Sequence, residues 1–396
     1  MPAGRPAVVV SAVRTAIGRF GGSLGSFSAV ELGAVAGREA LTKSGVPGSE
    51  IDQVVVSNAR QAGVGPNPGR ALVPAVGLAE SVPGWTVNMA CGSGLQALVA
   101  AWQAIASGDA DAVLTVGTEA MSQIPYLLTG ARWGYRLGHG EVTDALHKDG
   151  FICALTQQHM GMTAENLAQR YSISRQASDE YAAESQRRAA AAMAGGHFAG
   201  QIVPVEIPQR KGPPKVFATD EHPRPDSTAE ALARLQPVFR ADGIVTAGSA
   251  SGITDGAAAA VIVAQEYAEA HGLQPLLHLR GWAAAGVDPN LMGIGPVPAT
   301  QKVLRSAGLD IADLDLIEIN EAFAPQVLAC QHDLGYDPAR ANVDGGAIAL
   351  GHPIGMTGLR LVVALAHALP RTGGSLGLAT VCINGGMGLS LLVERP

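Results

Sequence analysis

Aromatic side chains make up only 4% of this 396-residue chain, charged side chains 15%, and cysteine occurs four times. Each scarcity rules something out. With 27 basic against 34 acidic residues, a net charge of −7, the chain has no general positive field to hold a nucleic acid by its phosphates. An anionic ligand must instead meet a local basic patch. The cysteines, Cys91, Cys153, Cys330 and Cys382, form neither a C-x-x-C pair nor a metal-ligand spacing. In a chain of this length that argues against a disulfide framework or a metal site, and for reduced thiols in a cytoplasmic protein. No stretch approaches the roughly 20 apolar residues of a membrane-spanning helix. The first apolar run, Ala7-Val8-Val9-Val10, lies between Arg5 and Arg14 and is too short for the hydrophobic region of a secretory signal. The expectation is a soluble, intracellular protein with no membrane or nucleic-acid partner.

What the chain has in plenty is small and aliphatic: 47% apolar residues and 50 glycines. That composition suits α/β layers, and the length exceeds what one core usually serves. The first third alternates strand and helix signals. Strands are read at 8–13, 51–57, 86–89 and 112–116. Ser28-Ala29-Val30-Glu31 is a capping box opening a helix to about Lys43, and a second helix covers 68–79. A third helix follows Cys91, with Leu95, Leu98, Val99, Trp102 and Ile105 on one face. Such alternation predicts a parallel sheet with crossover helices. The last third repeats the plan: Leu41, Gly45, Ile51-Asp52 and Asn58 are echoed by Leu304, Gly308, Leu314-Asp315 and Asn320. The strand, Gly-rich loop and helix around Cys91 are echoed by residues 342–358, a helix to about Leu369 and a strand at 375–381. Two duplicated halves are therefore expected. Residues 1–120 form the first part of the N-terminal half, 121–247 a loop-domain excursion, 248–272 the return of that half, and 273–396 the C-terminal half. The excursion carries charged helices at 162–171 and 175–194 and a basic stretch holding Arg210, Lys211 and Lys215, read as a solvated charge run.

Cys91, in Val87-Asn88-Met89-Ala90-Cys91-Gly92-Ser93-Gly94, sits between a strand and a helix N-terminus. The helix dipole and nearby N–H groups there favour the thiolate, the form that attacks carbonyl carbon. The segment equally fits a small buried residue in a tight turn. Three other segments stand at strand ends or helix starts, where open α/β sheets place their sites: Asn320-Glu321-Ala322-Phe323-Ala324, Gly351-His352-Pro353-Ile354-Gly355 and Cys382-Ile383-Asn384-Gly385-Gly386-Met387-Gly388. Alone, His352 fits a turn, Cys382 fits packing and Asn320 fits a helix cap.

Together, and with Arg14-Thr15-Ala16-Ile17-Gly18-Arg19-Phe20-Gly21-Gly22 and His159-Met160-Gly161-Met162-Thr163-Ala164-Glu165-Asn166, these motifs make the chain resemble the thiolase family of acetyl-CoA acetyltransferases and 3-ketoacyl-CoA thiolases over nearly its full length. The resemblance implies a five-layer αβαβα fold from two duplicated halves with an inserted loop domain, and a homo-oligomer, dimer or tetramer. It implies a reversible thioester Claisen reaction on coenzyme A esters, with no permanently bound cofactor. By the same resemblance Cys91 is the acylated nucleophile, His352 activates it and Cys382 moves the proton alpha to the thioester. One oxyanion site comes from His352 and a water held by Asn320; the other comes from the backbone N–H groups of Cys91 and Asn384. Pantetheine contacts fall on His159, Met160 and Ser251, Arg224 lies against the nucleotide end, and Ala247 is a further CoA-binding position. The chain departs from the family pattern at Asn384 (usually glycine), Ser249 and Thr254 (usually asparagine), Asp344 (asparagine) and Met356 (a small residue), the last one turn past His352 and expected at the acyl pocket. The leading expectation is an acetyl-CoA C-acetyltransferase. A long-chain degradative 3-ketoacyl-CoA thiolase is the rival within the class, and a non-catalytic acyl-CoA-binding subunit the rival outside it.

Overall fold

The computed structural model describes residues 4–396. The strands used below are β1 (Ala7–Thr15), β2 (Gln53–Ser57), β3 (Gly84–Val87), β4 (Ala112–Ala120), β5 (Thr254–Ala264), β6 (Leu277–Gly286), β7 (Leu316–Ile319), β8 (Leu376–Ile383) and β9 (Met387–Glu394). The helices used below are α1 (Ala29–Ser44), α2 (Pro68–Ala75), α3 (Ser93–Ser107), α4 (Met160–Arg170), α5 (Arg175–Ala194), α6 (Pro296–Ala307), α7 (Ala324–Leu334), α8 (Ala347–Leu350) and α9 (Ile354–Thr372). Local chemistry sets many of these limits. Ser28 and Glu31 close the expected capping box on α1, and Gly45, at φ 70°, ends it in the left-handed conformation that glycine adopts without a Cβ penalty. Strands β1, β4 and β5 are buried at every residue, as near-continuous apolar runs covered on both faces should be.

The sheet order is β7-β8-β9-β6-β1-β5-β4-β2-β3. Within it the two halves repeat one pattern. β2 and β4 are parallel, β4 and β5 antiparallel, β5 and β1 antiparallel; β7 and β8 are parallel, β8 and β9 antiparallel, β9 and β6 antiparallel. The halves join where Val8 and Val9 of β1 pair with His278 and Leu277 of β6. The sheet is thus mixed, which corrects the expectation of a parallel one. β5 returns antiparallel after the long excursion, and β9 folds straight back from β8 through Gly385 and Gly386, at φ 93° and 83°.

Helices α1 and α2 cover one face of the N-terminal half, and α6 packs on the outer face of the C-terminal half beside α7. Between the halves lie α3 and α9, packed on each other and on both sets of strands. This is the five-layer αβαβα thiolase-like arrangement. Helix α3 carries Gly94, Ala97 and Ala101 as well as its large residues into the core, and α9 is buried nearly all round, so neither is a surface amphipathic helix. The C-terminal half has no strand equivalent to β3, only a bridge between Ile317 and Ala341, and α8 precedes the His352 turn. All four cysteines are free and buried. No helix among the described residues is long and apolar enough to cross a membrane.

The contact that sets the spacing of the central layer is glycine on glycine. A Cβ added at Gly94 would lie 2.7 Å from the backbone nitrogens of Gly358 and Leu359, and one added at Gly358 would strike the backbone of Gly94 and Leu95. The N-terminal turns of α3 and α9 therefore meet backbone to backbone. Gly358→Ala is expected to cost about 1–3 kcal/mol or more, because overpacking here meets main chain rather than a movable side chain. Urea midpoints should fall well below those of Gly286→Ala, where the nearest atom to an added carbon is 3.9 Å away. Equal midpoints for the two variants would refute the argument.

Candidate active site

Cys91 is held at the start of α3 by a strained turn. Ala90 stands at φ 45°, a left-handed conformation that costs a non-glycine residue about 1–2 kcal/mol. Polar groups lock it there. The Ala90 N–H donates to Asn88 Oδ1 at 2.9 Å, Asn88 Nδ2 donates to the Ala59 carbonyl at 3.1 Å, and Ser93 Oγ accepts from the Met89 N–H at 2.8 Å while donating to the Ala90 carbonyl at 2.6 Å. Glu119, buried at the end of β4, ties this region to the other half. Its carboxylate accepts the N–H groups of Ala59 (3.1 Å), Arg60 (3.0 Å) and Gly355 (2.8 Å) and the side-chain amide of Asn58 (2.8 Å).

His352 lies in the turn between α8 and α9. Gly351, at φ 98°, approaches Thr254 so closely that an added Cβ would meet its Oγ1 at 2.7 Å. The His352 N–H donates to the Gly252 carbonyl at 3.0 Å. Thr357 donates its hydroxyl to the Pro353 carbonyl at 3.0 Å and so accepts from His352 Nδ1, 2.6 Å away. That assigns the ring proton to Nδ1 and leaves Nε2 as an acceptor, which Asn320 Nδ2 faces at 3.4 Å. Asn320 Oδ1 is buried without a partner.

Cys91 and His352 line one cavity of about 290 Å³. Its walls are mostly apolar and aromatic, including Phe151, Phe239 and Phe323, and His159, Met160, Ser251 and Asn384 line it too. Cys382 is fully buried just behind, packed in one cluster with Met160, Met292, Ala322 and Phe323 of the cavity wall. Burial dominates the electrostatics. It pushes the Cys91 thiol above its ordinary value, against the opposing pull of the Arg60 charge and of the N–H groups of Asn384 and Cys91 itself. The expected thiolate-favouring environment is thus outweighed, and the resting group is a neutral thiol. Cys382 is pushed well above the ordinary thiol range by burial, then by the charges of Cys91 and Cys330. Burial, followed by the charges of Arg60 and Arg360, takes His352 down to about 3, so its imidazole is neutral and free to accept a proton.

Of the residues picked from sequence, Cys91, His352, Asn384, His159, Met160 and Ser251 face the cavity, with Cys382 and Asn320 beside it. His159 caps α4 through Nδ1, which accepts from the Gly161 N–H at 3.1 Å, and its ring packs against Phe239 with centroids 4.7 Å apart. Arg224 and Ala247 are exposed and outside the cavity lining, as are Arg210, Lys211 and Lys215. Met356 does not border the cavity. Its sulfur lies 2.9 Å from where a Cβ on Gly256 would be, inside the helix–sheet layer, because α9 begins only at Ile354 and no helical turn relates residue 356 to residue 352. Asp344 pairs with His197 at 2.8 Å and with Arg371, away from the site. Asn384 does not use the left-handed conformation; Gly385 and Gly386 carry it. Arg60, Glu119 and Thr357 escaped the sequence reading. Only Glu119, an acid closing a long apolar strand, left a signal there.

A cysteine and a neutral histidine share one mostly apolar cavity at the facing helix starts of two duplicated halves, an arrangement suited to thiol chemistry. The chain matches the thiolase N-terminal domain over residues 7–266 and the thiolase C-terminal domain over residues 273–395, and it belongs to the thiolase family of acyltransferases. It is 53% identical to an acetyl-CoA acetyltransferase of Escherichia coli K12 over 98% of both chains. It superposes on the acetyl-CoA acetyltransferase of Bacillus anthracis with a TM-score of 0.97 at 43% identity, covering 100% of each chain. Against human mitochondrial 3-ketoacyl-CoA thiolase in complex with CoA the score is 0.95 at 41% identity, over 99% of this chain and 98% of the other.

Two outcomes follow from the His352 geometry. Thr357→Val removes the acceptor on Nδ1 and should lower kcat for acyl transfer about 10–100-fold, the range for losing an orienting partner, with Thr357→Ser restoring most of it; equal activity of the Val and Ser variants would contradict the assignment. The second concerns pH. Unfolded imidazole titrates near 6.5 and the folded ring near 3, so between these values the unfolded chain binds the extra proton and stability falls as pH falls. His352→Asn should therefore lose less stability than the parent between pH 7 and pH 4 in urea titrations, and parallel losses would contradict the assigned shift.

Proposed function

We infer that this enzyme is an acetyl-CoA C-acetyltransferase, cleaving acetoacetyl-CoA with CoA to two acetyl-CoA and running the same steps backwards as a Claisen condensation. The observation that carries the reading is the sharing of one apolar cavity by the Cys91 thiol and a neutral His352 imidazole, with a second buried thiol, Cys382, against its wall. Nε2 of His352 takes the Cys91 proton as the sulfur adds to the 3-oxo carbonyl. The C2–C3 bond then breaks, the acetyl-CoA enolate takes a proton from Cys382, and acetyl remains on Cys91. CoA thiol attacks that thioester and gives its proton to the Cys382 thiolate, while the imidazolium returns its proton to Cys91. Charge appears only along this path, where preorganised donors act most strongly. The N–H groups of Cys91 and Asn384, already directed at the sulfur, suit the oxyanion of the acyl-transfer step. The unpartnered Oδ1 of Asn320 suits a water shared with His352 at the enolate.

In this reading His159, Met160 and Ser251 hold the pantetheine arm, and the exposed Arg224, with Ala247, lies at the nucleotide end. The proposal includes a cytoplasmic homo-oligomer, dimer or tetramer. Exposure of Leu128, Trp133 and Leu137, at 52%, 84% and 99%, supports an assembly that covers them.

Exposure to acetyl-CoA followed by peptide mass spectrometry should place acetyl on Cys91, and Cys91→Ser should lower thiolysis by about three orders of magnitude or more. A label on Cys153 or Cys330 would refute the assignment. Cys382→Ala should impair condensation more than acylation. A strong preference for long 3-ketoacyl-CoA substrates would move the reading to the degradative thiolase, and absence of turnover would move it to a binding subunit.

A further inference from the structure

Among the described residues that line the Cys91 cavity, Arg60 is the one formally charged side chain. It is 5% exposed. Nη2 donates to the Gly150 carbonyl at 2.8 Å, whereas Nε is buried with no hydrogen-bond partner. The acid closest in the network, Glu119, spends its oxygens on the N–H groups of Ala59, Arg60 and Gly355 and on the Asn58 amide, and not on the guanidinium. A desolvated cation with one donor left without an acceptor is costly to keep and is the kind of group that a ligand completes. Its position relative to the reacting sulfur is fixed by Asn384. The backbone N–H of Asn384 acts on the Cys91 sulfur, and its side-chain Nδ2 donates, at 3.3 Å, to the same Gly150 carbonyl that Arg60 holds. The guanidinium therefore lines the same mostly apolar cavity as the sulfur, and its charge acts on that sulfur.

We propose that Arg60 reads the far end of the acyl group on Cys91, and that the enzyme takes short acyl chains ending in a carboxylate as well as acetyl. The proposal rests on the acyl-Cys91 reading and adds a substrate class to it. In thiolysis of a 3-oxodicarboxylyl-CoA the bond between C2 and C3 breaks. Acetyl-CoA leaves with a proton from Cys382, and the half that stays on Cys91 ends in the carboxylate facing Arg60. CoA thiol then releases that half as its CoA ester, with the same return of protons as in the acetyl reaction. Arginine suits the task because its planar fork stays charged when buried and meets a carboxylate through two donors.

The test compares kcat/KM for thiolysis of three probes by the full-length enzyme: acetoacetyl-CoA, 3-oxohexanoyl-CoA and 3-oxoadipyl-CoA, the last two matched in length and differing by the carboxylate. The parent should favour 3-oxoadipyl-CoA over 3-oxohexanoyl-CoA by about tenfold or more, since a site built for a polar group rejects the analogue that lacks it. Arg60→Leu should invert that ratio and Arg60→Lys should keep part of it. A parent ratio near one overturns the proposal, and this arm needs no variant to fold. So does an equal fall for all three probes in Arg60→Leu, which is what a purely structural tie to Gly150 would give. Cleavage of 3-oxoadipyl-CoA without cleavage of acetoacetyl-CoA would leave the reading of the carboxylate by Arg60 standing and overturn the acetyl-transfer reading; inactivity toward all three overturns both.

Discussion

The backbone contact of Gly94 with Gly358 is the constraint on which the site depends. Cys91 lies three residues before one glycine and His352 six before the other, so the distance between the two helix starts fixes the relation of the sulfur to the imidazole. Any side chain at this crossing would separate them. The two helices occupy equivalent places in the duplicated halves, which turns a symmetric scaffold into an asymmetric site: one half presents sulfur, the other imidazole. The positive ends of both helix dipoles converge there, where they favour any anion that forms in the cavity.

Burial gives that convergence its force. In the resting site Cys91, Cys382 and His352 are all neutral: at Cys91 desolvation outweighs the Arg60 charge, while at Cys382 and His352 the nearby charges push the same way as burial. A proton moved from thiol to imidazole creates two charges in a poorly solvating cavity, so the transfer is coupled to the arrival of a carbonyl that can use the thiolate. The fixed N–H groups of Cys91 and Asn384 need no reorganisation when that happens. An unloaded enzyme with a neutral thiol is also less open to adventitious oxidation than one holding a standing thiolate.

Much of this was legible in the sequence, for identifiable reasons. The Ser28–Glu31 capping box, the Gly45 stop and the long α5 helix are local signals, and the structure follows them. The duplication was legible because Leu41, Gly45, Ile51-Asp52 and Asn58 recur at like spacing as Leu304, Gly308, Leu314-Asp315 and Asn320, and both halves then build a parallel pair followed by an antiparallel return. The direction of that return was not, since β5 arrives only after a long excursion and no local pattern encodes which way a strand then runs. The β8–β9 hairpin was legible in principle from Gly385-Gly386 between two apolar runs. At the site, motif residues were found because their chemistry is explicit. Ala90 was missed because alanine carries no mark of a positive φ, which here is imposed by Asn88 and Ser93. Thr357 was missed because its role exists only once α9 has formed and its hydroxyl has turned back to Pro353.

The departures from the family pattern divide by what they touch. Ser249 satisfies its hydroxyl within its own turn, where the Thr246 N–H donates to it at 2.9 Å, and Asp344 is absorbed by His197 and Arg371. Neither alters what a substrate meets. Asn384 is different, since it borders the cavity and its side chain donates to the Gly150 carbonyl that Arg60 also holds. Asn384 keeps the main-chain donor because the left-handed conformations fall on the two glycines after it, so a side chain was gained there without moving the N–H. The departure at Asn384 therefore changes the cavity wall and leaves the N–H beside Cys91 in place. Changes in such a wall act through which acyl group is held, and only secondarily through how fast it is transferred.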